Sequence, residues 1–224
     1  MNPNDPNVQM LDIVAERLGG ELCSSLVFVG GAVAGLLITD PAQPAIRPTE
    51  DVDLLAQVIA RTEYYALETA LRARGFRQDL RAGAPICRWT VASVTVDVMP
   101  TLPEVLGFSN RWYPLACETA WTARLPSGRA VQVISAPAFV ATKLEAFAGR
   151  GHGDYLFSHD LGDIISVLDG RDSLLVELAQ ADPELRRSVA GEVARWLASR
   201  SFLDSLPGHL PGCAFQRSRT PVSR

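Results

Sequence analysis

Histidine is scarce, with three in 224 residues, and the four cysteines (Cys23, Cys87, Cys117, Cys213) are scattered without zinc-ligand spacing. That argues against a zinc centre and for reduced, mostly structural thiols in a cytoplasmic protein. The chain has no excess of positive charge: its formal net charge is −4, so no global basic field draws nucleic acid, although a local patch or a small structured RNA is compatible with that value. No long hydrophobic run is present either. The longest, Leu26 to Ile38, is broken by glycines and falls short of the roughly 18 residues a membrane span needs. The first residues, Met1 to Pro6, carry neither the basic nor the apolar region of a secretory signal. The phosphate-binding P-loop, with its Lys-Ser/Thr ending, and the three-glycine dinucleotide fingerprint are missing too.

What is there suits a globular protein: 47% hydrophobic and 21% charged residues, in a chain long enough for one full domain and a smaller one. Val8, Leu11, Ala15 and Leu18 stand at helical spacing, with Gly19-Gly20 as the expected stop. Leu26–Val29 reads as a short buried strand that Gly30-Gly31 turns into a second helix, Ala32 to Ile38. A proline-bearing linker, Thr39 to Glu50, leads to a strand from Asp51 to Gln57 and a helix from Thr62 to Arg74. A hairpin follows at Ile86–Val91 and Val94–Met99 around Ala92-Ser93, and another at Trp121–Leu125 and Ala130–Ile134 around Pro126-Ser127-Gly128. From Ser135, an expected helix cap, helical patterns run to about Leu206. The expected organisation is a mixed α+β part over 1–135, an all-helical part over 136–206, and a mobile basic tail over 207–224.

The chemistry concentrates in three aspartates. Side chains alternate along a strand, so Asp51 and Asp53 share one face while Val52 and Leu54 take the other. Asp97 sits the same way within Val94–Met99. Three carboxylates converging without a counter-ion repel one another. Mg²⁺ or Mn²⁺ would relieve this, since a hard divalent cation takes carboxylates together with substrate phosphate oxygens, and two such ions could align an attacking hydroxyl with a leaving pyrophosphate. The plain alternative is that Asp51 opens a strand and Asp53 merely faces solvent. Gly30-Gly31 permits close backbone approach, with the following helix N-terminus offered to a phosphate; its plain alternative is a simple turn.

Together, Phe28-Val29-Gly30-Gly31, then Arg47-Pro48-Thr49-Glu50-Asp51-Val52-Asp53-Leu54, then Val96-Asp97-Val98 resemble the DNA polymerase β-type nucleotidyltransferase superfamily. With Ala141-Thr142-Lys143-Leu144-Glu145-Ala146-Phe147, Arg150, and Ser158-His159-Asp160-Leu161-Gly162-Asp163-Ile164-Ile165, the chain more narrowly resembles the AbiEii/AbiGii toxin-like nucleotidyltransferases. The resemblance spans about Phe28 to Arg171. It departs in a longer linker between Gly31 and Asp51, holding Pro41, Pro44 and Pro48. It implies a nucleotidyltransferase fold, a mixed sheet with flanking helices. It also implies Asp51 and Asp53 as ligands for metal and nucleoside triphosphate, Asp97 as the acid that helps activate the acceptor, and active-site roles for Lys143 and Asp160. RNA or tRNA as acceptor, an antitoxin protein as partner, and a toxin–antitoxin or phage-defence setting come with it.

Lys143 and Arg150, seven apart on one helix, would present a basic strip to a triphosphate, unless they form an ordinary solvated face. Ser158 is a natural helix cap with Asp160 near the positive end; Asp160 either orients Lys143 or a nucleotide, or serves the helix dipole alone. Leu161, Ile164, Ile165 and Leu168 form the expected buried stripe of that helix. Asp163, His152 and His159 read as structural or surface residues. Trp112, Tyr113 and Trp121 are expected to pack between the two parts of the molecule. The expectation is therefore a Mg²⁺-dependent transfer of a nucleoside monophosphate to a hydroxyl. Its rivals are a nucleotide-binding regulatory module without turnover, and a nucleotidyl- or phosphotransferase acting on a small molecule of the aminoglycoside kind.

Overall fold

Helix α1 (Pro6–Ser25) starts at Asp5, whose carboxylate accepts the Asn7 N–H at 2.8 Å, with Pro6 in the first turn, where its missing N–H costs nothing. Val8, Leu11, Ala15 and Leu18 form its buried face. Gly19 takes the positive φ of 71° expected of a helix stop, yet the chain re-enters helix and continues to Ser25. The glycine pair therefore kinks the helix instead of ending it. Arg74 makes this tolerable: its guanidinium fills the space over Gly19 and donates to the Leu18 carbonyl at 2.5 Å. The computed structural model describes residues 2–42, 46–58, 60–150 and 153–210. Pro44, His152, Cys213 and the arginines of the tail beyond 210 lie outside the described residues.

Seven strands form one mixed sheet: β1 (Leu26–Val29), β2 (Asp51–Ala56), β3 (Arg77–Gln78), β4 (Arg88–Val91), β5 (Val94–Pro100), β6 (Trp121–Arg124) and β7 (Ala130–Val133). Their order is β3-β4-β5-β2-β1-β7-β6. β1 runs antiparallel to β2 and parallel to β7, and β2 runs parallel to β5. All four residues of β1 are buried, as befits a strand covered on both faces. The β4–β5 hairpin turns on Ala92 and Ser93, both at positive φ (46° and 69°), the conformation a two-residue hairpin loop requires.

Helix α2 spans only Ala34–Leu37, preceded by a 3-10 turn at Gly31–Val33, so the helix read over Ala32 to Ile38 is shorter and tighter than its apolar pattern predicts. The cause is tertiary. After Leu37 the chain is drawn off by the end of a later helix, where the Gly170 carbonyl accepts from Thr39 and Asp40 N–H at 2.8 and 3.0 Å. The remaining helices of the first part are α3 (Arg61–Ala73), α4 (Pro103–Leu106) and α5 (Tyr113–Glu118).

Beyond β7 the described residues are helical: α6 (Ala136–Arg150), α7 (His159–Gly170), α8 (Leu174–Gln180), α9 (Pro183–Leu197) and α10 (Arg200–His209). The expected α+β class with a helical second part is what the structure shows. Ser135 offers its carbonyl to the Phe139 N–H at 2.8 Å, while its hydroxyl pairs with Thr119 at 2.9 Å. Helix α10 carries Pro207 inside it and runs on to His209, three residues into the segment read as tail. His209 Nε2 is held 2.6 Å from the Tyr155 carbonyl, and Tyr155 stacks with Phe147 beside Trp196 and Phe202. No helix among the described residues is long and apolar enough to cross a membrane. Cys23, Cys87 and Cys117 are free thiols; burial pushes Cys23 and Cys117 up to about 11 and Cys87 up to about 12, so they remain protonated.

Candidate active site

Strand register brings the three acids together. Asp53 pairs with Asp97 across β2 and β5, and Asp97 pairs with Arg88 across β5 and β4. Residues directly opposite in a sheet share a face, so Asp53, Asp97 and Arg88 stand in one row, with Asp51 two residues along β2 on the same side. All four line one cleft of about 910 Å³. Strand alternation alone puts Asp51 and Asp53 on a shared face, but the adjacency of Asp97 comes from a pairing across 44 residues of chain.

Arg88 is the site residue that the motif reading passes over. Its guanidinium grips Asp97 with two bonds, Nε to Oδ1 at 2.8 Å and Nη2 to Oδ2 at 2.7 Å, and Nη2 also reaches Asp51 Oδ2 at 3.1 Å. A signal for it does exist in the sequence. With Ala92-Ser93 as a two-residue turn, counting back along the hairpin sets Val91 against Val94 and Arg88 against Asp97. The Arg88 pKa is raised, chiefly by its hydrogen bonds to Asp97. Asp51 is raised by burial and by Asp97, with Arg88 opposing. Asp53 is pushed up to about 7 by burial first and by the Asp51 charge second. Among the described residues no group of three or more His, Cys, Asp or Glu side chains is arranged so that it could hold a metal ion; the cation between Asp51 and Asp97 is a guanidinium.

The raised Asp53 has a thermodynamic consequence. A carboxyl whose folded value is about 7 against an ordinary 3.8 holds its proton more tightly folded than unfolded. Stability must then fall as pH rises from about 4 to about 7. Replacing Asp53 with Asn is expected to raise the thermal midpoint of metal-free protein at pH 8, with the gain fading below about pH 5. Melting curves in EDTA across that range check this, and a gain that does not vary with pH would contradict it.

The opposite wall comes from α6 and α7. Lys143 and Arg150 do share a face, as their spacing predicts, but what they meet is Asp160. Lys143 Nζ lies 3.0 Å from Asp160 Oδ1 and 2.8 Å from Asp163 Oδ2, and Arg150 forms a two-bonded fork on Asp160, both at 2.9 Å. Lys143 lines the cleft with its ammonium already paired. It is a buried cation, 8% exposed, already matched by two acids. Burial alone would lower its pKa, yet Asp163 and Asp160 hold it raised. Burial works against Asp160 likewise, but Arg150 and Lys143 keep it below the usual carboxylate range. Asp163 also has Arg47 at 3.8 Å. In α7, Ser158 caps as expected by accepting from Leu161 N–H, and the buried stripe runs through Val167, leaving Leu168 exposed.

The glycine pair has a task that the local pattern does not disclose. Gly30 sits at φ +72°, and a Cβ there would lie 1.9 Å from Asp53 Oδ2; one on Gly31 would meet Thr49 Cγ2 at 2.8 Å and Asp163 Oδ2 at 3.2 Å. The room above both glycines thus accommodates protein side chains, Asp53 foremost, while Gly31 still forms part of the cleft wall. The long linker before Asp51 is tied down by Asn7, 2% exposed in α1. Its side chain accepts the Thr49 N–H at 2.9 Å and donates to the Arg47 carbonyl at 3.1 Å. A buried asparagine near a helix start is the available signal for that anchor.

Four basic side chains line the cleft (Arg47, Arg88, Lys143, Arg150) against six acidic ones (Glu50, Asp51, Asp53, Asp97, Asp154, Asp160). His159 and the exposed Phe157 stand among them. The aromatic trio divides. Trp112 is buried under Arg111, which pairs with Glu145 of α6, so it packs between the parts, while the Tyr113 hydroxyl contacts Met99 Sδ at 3.2 Å within the first part. Trp121 is exposed on an outer strand.

No family model matches the chain, and no curated protein matches it. Several solved structures are similar in chain trace, two of them as follows. The antibiotic-resistance factor ANT(2'')-Ia in solution shares 13% identity, with 91% of this chain and 97% of that one covered, at a TM-score of 0.49. ANT(2'')-Ia in complex with adenylyl-2''-tobramycin shares 14% identity, with 84% and 98% covered, at a TM-score of 0.46. At these values neither likeness bears on function.

Proposed function

We propose that the protein is a metal-dependent nucleotidyltransferase. It moves a nucleoside monophosphate from a nucleoside triphosphate to an acceptor hydroxyl and releases pyrophosphate. The observation that carries this reading is the row of Asp51, Asp53 and Asp97 on one sheet face, forming one wall of a large cleft whose other wall carries Lys143 and Arg150. The acids suit a hard divalent cation. Asp53 has no hydrogen-bond donor among the described residues, and burial together with Asp51 raises it to about 7, the condition of a carboxylate short of positive charge. Asp51 and Asp53 would hold Mg²⁺ or Mn²⁺, with Asp97, whose two oxygens both accept from Arg88, standing beside the ion. When bound, such an ion supplies charge neutralisation at the phosphate and leaving-group oxygens.

The chain's own groups do the rest. Asp97, fixed by the Arg88 fork, would take the proton of the acceptor hydroxyl as its oxygen bonds to the α-phosphorus and the bond to the pyrophosphate oxygen breaks. Arg150 and Arg47 face the cleft and can receive the released charge. Lys143 and Asp160 act one step back, holding Arg150 and the α6–α7 wall in position. Gly30 keeps Asp53 in place by leaving it room.

RNA or tRNA is the acceptor that the toxin-like resemblance suggests, with an antitoxin protein as regulator. The cleft favours a second reading, since its acids outnumber its bases and a small cationic acceptor of the aminoglycoside kind is attracted where a polyanion is repelled. Incubation with each α-labelled nucleoside triphosphate, Mg²⁺, and either total RNA or a set of aminoglycosides tests both. Label from the α-phosphate is expected on one acceptor. Label arriving only from the γ-phosphate would replace nucleotidyl by phosphoryl transfer, and tight nucleotide binding without any transfer would favour a regulatory module.

A further inference from the structure

Arg88 touches two of the three carboxylates, and the third has no donor among the described residues. The two bonds to Asp97 run edge-on at 2.8 and 2.7 Å, the fixed fork of a planar guanidinium on a carboxylate. The bond to Asp51 is the longest of the three, 3.1 Å, and shares Nη2 with Asp97. The side chain is 26% exposed, so its end borders the open cleft and is not locked in core. Backbone register holds Arg88 opposite Asp97 whatever the ligand state, whereas nothing but this one bond holds it to Asp51.

We propose that Arg88 is a resident counter-cation of the carboxylate row, which competes with the divalent ion for Asp51 and must release that acid before it can bind metal. This rests on the metal-dependent reading above. Two cations at one carboxylate within contact distance repel, so the Nη2–Asp51 bond and a metal on Asp51 exclude one another. Without metal, Arg88 relieves the repulsion between Asp51 and Asp97 and keeps the row assembled. With metal, it retains Asp97 alone and acts as a positioning residue for it. Affinity for the ion is therefore set below what Asp51 and Asp53 could reach without the guanidinium.

Electron paramagnetic resonance of free Mn²⁺ over nucleotide-free protein tests this directly. Arg88→Gln is expected to bind Mn²⁺ about tenfold or more tightly than wild type, Arg88→Lys to fall between the two because it keeps the charge but not the fork, and Asp51→Asn to bind far more weakly. In EDTA, Arg88→Gln should melt below wild type and gain more from Mn²⁺. A folded Arg88→Gln protein with equal or weaker Mn²⁺ affinity overturns the proposal. Wild type supplies an independent readout should that variant not fold. Rotation about the Arg88 Cζ–Nη2 bond, followed by NMR, is expected to quicken on saturation with Mg²⁺, and unchanged rotation also overturns it. If wild type binds Mn²⁺ and these effects are missing, this proposal alone fails. If neither wild type nor Arg88→Gln binds Mn²⁺, the metal-dependent reading falls with it.

Discussion

Asp51→Asn is expected to cut transfer of α-label by at least about a thousandfold, the scale on which loss of a charge-stabilising group at a phosphoryl centre is felt. The fold should survive. The side chain is 33% exposed, its bond to Arg88 is the weakest of that residue's three, and burial together with Asp97 already disfavours its charge. Its removal takes away a ligand and a source of repulsion but no core volume, so the melting temperature should stay close to wild type. Asp97→Asn serves as the contrasting variant, because it loses activity and also strips Arg88 of its two-bonded partner, so it should melt lower. An Asp51→Asn protein that keeps more than about a tenth of wild-type transfer would remove Asp51 from the site.

Lys143→Met is expected to have the largest effect on stability, about 3–5 kcal/mol, the range found when one member of a buried ion pair is removed. The methionine fills similar volume, so the loss is electrostatic. Asp160 keeps Arg150, but Asp163, 2% exposed, is left with Arg47 at 3.8 Å as its remaining charged partner. Combining Lys143→Met with Asp163→Leu should recover part of the loss, since the uncompensated charge goes with it. Urea unfolding of the three proteins measures this. A Lys143→Met cost below about 1 kcal/mol would show that the network is solvated and not buried. Transfer should fall as well, through displacement of Arg150 and the α6–α7 wall.

Part of this site is legible in the sequence because part of it is local. Alternation along a strand puts Asp51 and Asp53 on one face without reference to any other segment, and a period of seven on a helix puts Lys143 beside Arg150. The pairing of Arg88 with Asp97 is nearly local too, being dictated by a two-residue turn. The errors occur where a distant segment intervenes. Gly19 should end α1, but Arg74 satisfies the exposed carbonyl and the helix resumes. Ala32 to Ile38 has the pattern of a longer helix, but Gly170 captures the chain at Thr39. Asp160 is an expected partner of Lys143, but no local pattern reveals that Asp163 joins it.

The sequence by itself determined the class of this protein, α+β followed by helices, and which acids are candidates for chemistry. Periodicity and turn chemistry act over a few residues and need no partner. Only the tertiary structure decided what each candidate touches: β2 against β5 in register, Asp53 lodged over Gly30, a guanidinium between two carboxylates, a lysine spent on neighbours. Those outcomes depend on which distant surfaces meet and at what offset, and a charge's role is set by the charges around it.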